Sequence, residues 1–257
     1  MTPDEETFHL DPRRAIGVLI RVSVTIVVLG TLVSVSKLQA GTYPLSGDLR
    51  SRFELHTGLS LPGWFGAILF LIMVPPLIVL ARKAHGSGDR ADARAWTCLA
   101  LLVTVFSVDE VTSFHVFASL LIDVQILGFH GGYNWVVFGM VAVVALVVIF
   151  GRFIVRLPEP LRFRFVLGSL LFFGGAVGIE MINAHTASTV GDANYRYLLL
   201  TSVEEAVEMV GVLVIIYGLL EHVREEVGTV VIRFGPEPST SQTYLASDHE
   251  DAGRGPE

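Results

Sequence analysis

The sequence is short of cysteine, of charge and of recognisable metal motifs. Its single cysteine, Cys98, excludes an internal disulfide and any multi-cysteine metal site. Charged residues make up only 17% of the 257 residues, where a soluble domain carries about a quarter. A water-soluble globular domain of ordinary composition is therefore excluded. None of the long apolar runs contains a lysine, which excludes a retinal-type Schiff base inside a span. Four-helix di-iron proteins carry Glu-x-x-His pairs. No such pair occurs within the apolar runs, and the histidine boxes of membrane desaturases are missing as well. Two E-x4-H strings share a spacing (Glu110 to His115, Glu180 to His185), but their flanks differ, so no internal repeat is read. Nothing supports nucleic-acid binding.

What is present is apolar. Hydrophobic residues make up 52% of the chain and mean hydropathy is +0.61. They fall in long blocks, the pattern of an all-α integral membrane protein. The blocks predict a six-transmembrane-helix bundle with spans at about 15–35, 64–81, 96–122, 133–151, 165–184 and 198–220. Residues 1–14 read as a cytoplasmic N-terminal segment and 15–223 as the transmembrane domain. Residues 224–257 read as a mostly disordered acidic cytoplasmic tail, containing one short β-like run, GTVVIRF. Pro75 and Pro76 predict a kink in the second span. Gly168, Gly174, Gly175 and Gly178 permit close helix approach in the fifth. Trp64, Trp96 and Trp135 stand at span ends, where interfacial anchors belong. The first span, with its paired arginines and KLQA-G ending, can also be read as a signal peptide cleaved after Ala40; its length and Leu38 at the −3 position favour a retained helix.

Orientation follows from arginine. With the N-terminus inside, fourteen basic residues fall on the cytoplasmic side, among them Arg13, Arg82, Lys83, Arg94, Arg156 and Arg224. Only Lys37, Arg50, Arg52 and Arg196 fall outside. The positive-inside bias predicts residence in the plasma (inner) membrane with both termini cytoplasmic.

Against this background six carboxylates lie inside the spans: Asp109, Glu110, Glu180, Glu204, Glu205 and Glu208. Each costs roughly 2.5–3.5 kcal/mol at mid-bilayer, so together they cost on the order of 15–20 kcal/mol. With the predicted orientation all six occupy one layer between the middle and the outer surface. On an ideal helix Glu204, Glu205 and Glu208 form one acidic stripe, with Thr201 and Gly211 on the same side. In the third span Asp109 shares a face with Thr112 and Ser113, while Glu110 and His115 are about 140° apart. That spread predicts a helix surrounded by protein, or one distorted near the site. Adjacent like charges repel, so some of the six must hold a proton or a cation.

Histidine divides in the same way. His9, His85, His222 and His249 fall on the cytoplasmic side, where ordinary solvated surface accounts for them. On the outer side, His115 alone lies within a span and is the best imidazole ligand candidate. His130, in the loop GFHGGYNW, is a weaker one, and His56 sits in the polar outer loop.

The first reading is a metal site. Carboxylates with one or two imidazoles suit Fe, Mn or Zn. Asp109, Glu110, His115, Glu204 and Glu208 are the expected metal ligands. Glu180, Glu205, His185, Asn183, Ser113 and Thr201 are expected to support the ligands or accept protons, although His185, at a helix end, is more readily explained by structure alone. Such a centre would make the protein a metal-dependent membrane hydrolase or oxidoreductase acting on a lipid or other membrane-soluble substrate. The alternatives are a proton- or cation-coupled transporter and an accessory subunit whose buried acids pair with a partner's basic helix. The expected partners are the lipid bilayer and either a second copy of the chain or another membrane protein.

Overall fold

A computed structural model of the chain describes residues 11–40, 51–55, 59–116 and 135–228. Among these residues the structure is all helical, and six helical rods are long and apolar enough to cross a membrane. They are α1 (Pro12–Ala40), α2 (Leu61–Gly86), α3 (Arg90–Thr112), α4 (Trp135–Arg156), a fifth rod and α7 (Tyr195–Glu226). The fifth rod comprises α5 (Glu159–Phe173), a π-helical segment (Gly174–Ile179) and α6 (Glu180–Val190). The last helix runs to Glu226, taking in the first three residues of the predicted tail; His56, His130 and everything after Gly228, the rest of the GTVVIRF run and of the acidic tail included, lie outside the described residues.

Capping sets several helix starts. Ser60 accepts the Gly63 N–H, Asp89 accepts those of Ala91 and Asp92, and Asn194 accepts that of Tyr197. Asp89 explains why α3 begins at Arg90, ahead of the apolar run that marks the predicted span. Trp96 consequently lies inside the helix, with its side chain turned into the bundle and not to the outer surface where an anchor would sit. It is 4% exposed and packs edge-on to Phe153, with ring centroids 4.8 Å apart. Trp64, by contrast, is exposed. The second helix continues through Pro75 and Pro76, whose missing N–H groups leave the carbonyls of Leu71 and Ile72 without their usual partners.

Ion pairs align the helix ends. Lys83 of α2 hydrogen-bonds the Glu226 carboxylate and, at 2.8 Å, its backbone carbonyl. Arg156 of α4 donates to Asp92 of α3 at 2.7 Å. These contacts gather one basic end. Between the ends runs a core that includes Leu69, Met73, Leu77, Ile216 and Leu219. The first helix packs on α7, where the Thr31 hydroxyl donates to Ser202 Oγ at 2.9 Å.

The tightest contact is between the fifth rod and α7. A Cβ built on Gly168 would lie 2.6 Å from the Gly211 carbonyl oxygen, and one on Gly211 would lie 2.6 Å from both the Gly168 oxygen and the Phe172 nitrogen. Only glycine permits backbones to approach so closely. Just beyond this crossing the hydrogen-bonding register widens into the π segment. Such segments are frequent at functional sites, because the extra residue per turn re-aims the side chains on their C-terminal side. In this chain the first residue after the π segment is Glu180. In contrast, α4 packs loosely and shows lipid-type residues such as Val144, Val148 and Ile149 to the outside.

Candidate functional site

All six carboxylates of the predicted spans line one cavity of about 830 Å³. No lysine or arginine lines it; His115 is its one basic residue among the described lining. The cavity is built from the ends of the helices away from the basic end, with α3 and α7 supplying the acidic wall. The three glutamates of α7 face it together, as their helical spacing requires.

The third helix departs from its predicted course. It ends at Thr112, and Ser113 takes a left-handed conformation (φ 50°, ψ 40°). The Ser113 N–H closes the last turn on the Asp109 carbonyl at 2.7 Å. This break turns the chain back, so His115 is not on the ideal-helix bearing that separates it from the other groups. Its backbone N–H donates to Asp109 Oδ1 at 2.9 Å, and its Nδ1 lies 2.5 Å from Asp109 Oδ2. The Trp135 ring stands edge-on to the imidazole, with centroids 4.5 Å apart. Asp109 thereby holds the Nδ1 side of His115; in the neutral imidazole with its proton on Nδ1, Nε2 is an acceptor. Strain at position 113 is testable. Ser113→Gly should leave stability unchanged or raise it by up to about 1 kcal/mol, whereas Ser113→Val should cost about 1–2 kcal/mol. Thermal unfolding in detergent would read both; equal midpoints for the two variants would contradict strain at this position.

Deeper in, the carboxylates form two groups. Glu110, Glu205 and Glu208 share a small void with Phe70, Met209 and Val212, close enough to act on one another and on Glu204 and Glu180. Two glycines make room for them. A Cβ on Gly66 would meet Glu110 Oε1 at 2.7 Å, and one on Gly175 would meet the Glu208 side chain at 2.6 Å. The second group is Glu204, Glu180 and their polar neighbours. The buried Asn183 amide donates to Glu204 Oε2 at 2.8 Å and to Thr201 Oγ1 at 3.1 Å, and Glu180 lies against Glu204. Thr201 in turn donates to the Tyr197 carbonyl.

The expected metal ligands Asp109, Glu110, His115, Glu204 and Glu208 therefore share a cavity but not a single point. Among the described residues no group of three or more His, Cys, Asp or Glu side chains is placed to hold a metal ion. The five divide between a rim pair, the Glu110 group and the Asn183-bound Glu204. Of the residues expected to support them, Ser113, Glu180 and Glu205 line the cavity, and Asn183 and Thr201 brace Glu204 from behind. His185 is exposed on α6 and is not among the lining residues.

The larger part of the lining is apolar, and the sequence does not single it out. The floor is an aromatic cluster in which the Phe70 ring centroid lies 5.6 Å from that of Phe106 and 5.3 Å from that of Phe172. A further wall is the face of α4 that carries Phe138, Gly139, Ala142, Ala145 and Leu146. The spacing of Gly139, Ala142 and Ala145 is the one signal that could have identified it, since small residues recurring on one helical face keep space clear beside them.

No curated protein and no solved structure matches the chain. Residues 20–223 match the family described as Domain of unknown function (DUF8692), and because that match spans most of the chain, the protein belongs to this family.

Proposed function

We propose that the chain is a multi-pass membrane protein that binds a cation within the bilayer, in the cavity its carboxylates line, with protons occupying the site when the ligand does not. The observation that carries this reading is that all six carboxylates line a single cavity that no lysine or arginine enters among the described residues. Six acids scattered over several helices for structural reasons would have no cause to converge. Having converged, they repel one another unless a cation offsets them. With both termini cytoplasmic, as the arginine distribution favours, the cavity sits in the outer half of the plasma membrane.

Dicyclohexylcarbodiimide tests this, since it modifies protonated carboxyl groups in apolar surroundings. Treatment of the purified full-length protein, followed by peptide mass mapping, should modify Glu110, Glu205 or Glu208. Inclusion of the right cation, from a series of Na⁺, Mg²⁺, Mn²⁺, Zn²⁺ and tetraphenylphosphonium, should protect them. Absence of modification at all six carboxylates, or modification that no cation reduces, would overturn the proposal.

A transition-metal centre is a second reading, supported by the Asp109–His115 pair. Metal-bound histidines regularly donate their remote N–H to a carboxylate, which fixes the tautomer and frees the other nitrogen as ligand. Fe, Mn or Zn held by His115 and by some of Glu110, Glu204 and Glu208, with Asp109 orienting the imidazole, would supply a Lewis-acidic or redox centre for a membrane-soluble substrate. Metal analysis of protein purified without chelator decides it: a clearly substoichiometric content sinks the metal reading and leaves cation binding standing.

A further inference from the structure

We propose that the occupant is a lipophilic organic monocation, its charge beside Glu110, Glu205 and Glu208 and its apolar body on the aromatic floor and the α4 wall. This rests on the cation-binding reading and names the class of cation. Size points this way first. A divalent ion with six waters fills roughly 200 Å³, taking about 30 Å³ per water. The cavity, at about 830 Å³, is four times larger and in the range of sites for drug-sized ligands.

The lining points the same way, independently of the acids. A cavity for a hydrated ion gains nothing from phenyl rings, yet Phe70, Phe106, Phe172 and Phe173 cluster at its floor. Ring faces attract organic cations and exclude water, so the same surface serves both the charge and the body of such a ligand. The α4 wall completes the polarity. It offers aromatic, aliphatic and small residues and no hydrogen-bonding side chain other than the Trp135 indole. A ligand apolar on one side and positively charged on the other matches the two walls; a bare ion matches only one. The carboxylates lie near one another, yet among the described residues no three of them are placed to hold a metal ion. A diffuse organic charge needs proximity to several acids, whereas a metal ion needs its ligands at bonding distance.

Tetraphenylphosphonium and its isosteric anion tetraphenylborate provide the probes, because they share shape and apolar area and differ in sign. Equilibrium binding to purified full-length protein in detergent should favour the phosphonium by at least about tenfold. Glu208→Gln, which removes charge, and Ala142→Phe, which fills the apolar wall, should each weaken phosphonium binding by about tenfold. Size-exclusion profiles verify that each variant is folded, and the comparison of the two probes on the unmodified protein needs no variant. Equal binding of both probes, or no phosphonium binding, overturns the inference. If divalent metal alone protects the carboxylates from carbodiimide, the lipophilic class is wrong while cation binding stands. If nothing protects them, both fall.

Discussion

Gly211→Ala should lower the stability of the protein by about 3 kcal/mol, seen as a marked fall in the unfolding midpoint in detergent. The added methyl would sit 2.6 Å from the Gly168 oxygen and from the Phe172 nitrogen, and both are backbone atoms. A side chain could swing away; a backbone can yield only if the fifth rod and α7 separate. Separation would propagate, since Phe172 is part of the cavity floor and the adjoining π segment carries Glu180 into the site. The variant should therefore lose carbodiimide protection together with stability. Two other glycines serve as controls. The Cβ of Gly66→Ala meets the Glu110 side chain from Oε1 back to Cγ and no nearer backbone atom, so the expected cost is about 1 kcal/mol, well below that of Gly211→Ala, although the carboxylate must move. Gly151→Ala meets nothing within 4 Å and should be neutral or stabilising by up to about 1 kcal/mol through helix propensity. A wild-type-like midpoint for Gly211→Ala would refute the close crossing.

The membrane helices were legible in the sequence because hydrophobic blocks of span length have few alternatives in water or in lipid. Their ends were less so. The third helix begins at Arg90 and not near Trp96, because the polar RADARA turns are helical once Asp89 caps them, and hydropathy is blind to capping. The acidic members of the site were legible for a related reason: a carboxylate within an apolar block is costly, and cost marks position. His115 shows where that logic ends. Its bearing on an ideal helix points away from its actual partner, because the left-handed turn at Ser113 brings it back onto Asp109. No ordinary periodicity predicts a serine with positive φ. The apolar walls were illegible altogether. Phe70, Phe106 and Phe172 do not stand out in a chain so rich in apolar residues, and only the packing of three helices shows that their rings meet beneath the acids.

Whether the acids are there for ligand or for structure is decided by the sign of one stability change. Glu205→Gln combined with Glu208→Gln should stabilise the ligand-free protein by about 1–3 kcal/mol, while abolishing cation protection and phosphonium binding. The two glutamates share a void with Glu110 and act on each other and on it, with no lysine or arginine among the described residues lining the cavity to compensate. Glutamine keeps their volume, removes the cost of keeping two acids protonated at neutral pH in a low-dielectric site, and adds amide donors whose hydrogen bonds the remaining acids can accept. If the acids instead brace the bundle, the same substitution must destabilise it. Glu204 provides the internal contrast. It is buried and accepts a hydrogen bond from the Asn183 amide, so Glu204→Leu strands that donor and should cost about 1–3 kcal/mol. Opposite signs at positions 204 and 205/208, measured as unfolding midpoints in one detergent, would separate an acid held by its neighbours from acids held in readiness for a cation. A destabilised double variant would return the whole cluster to a structural role.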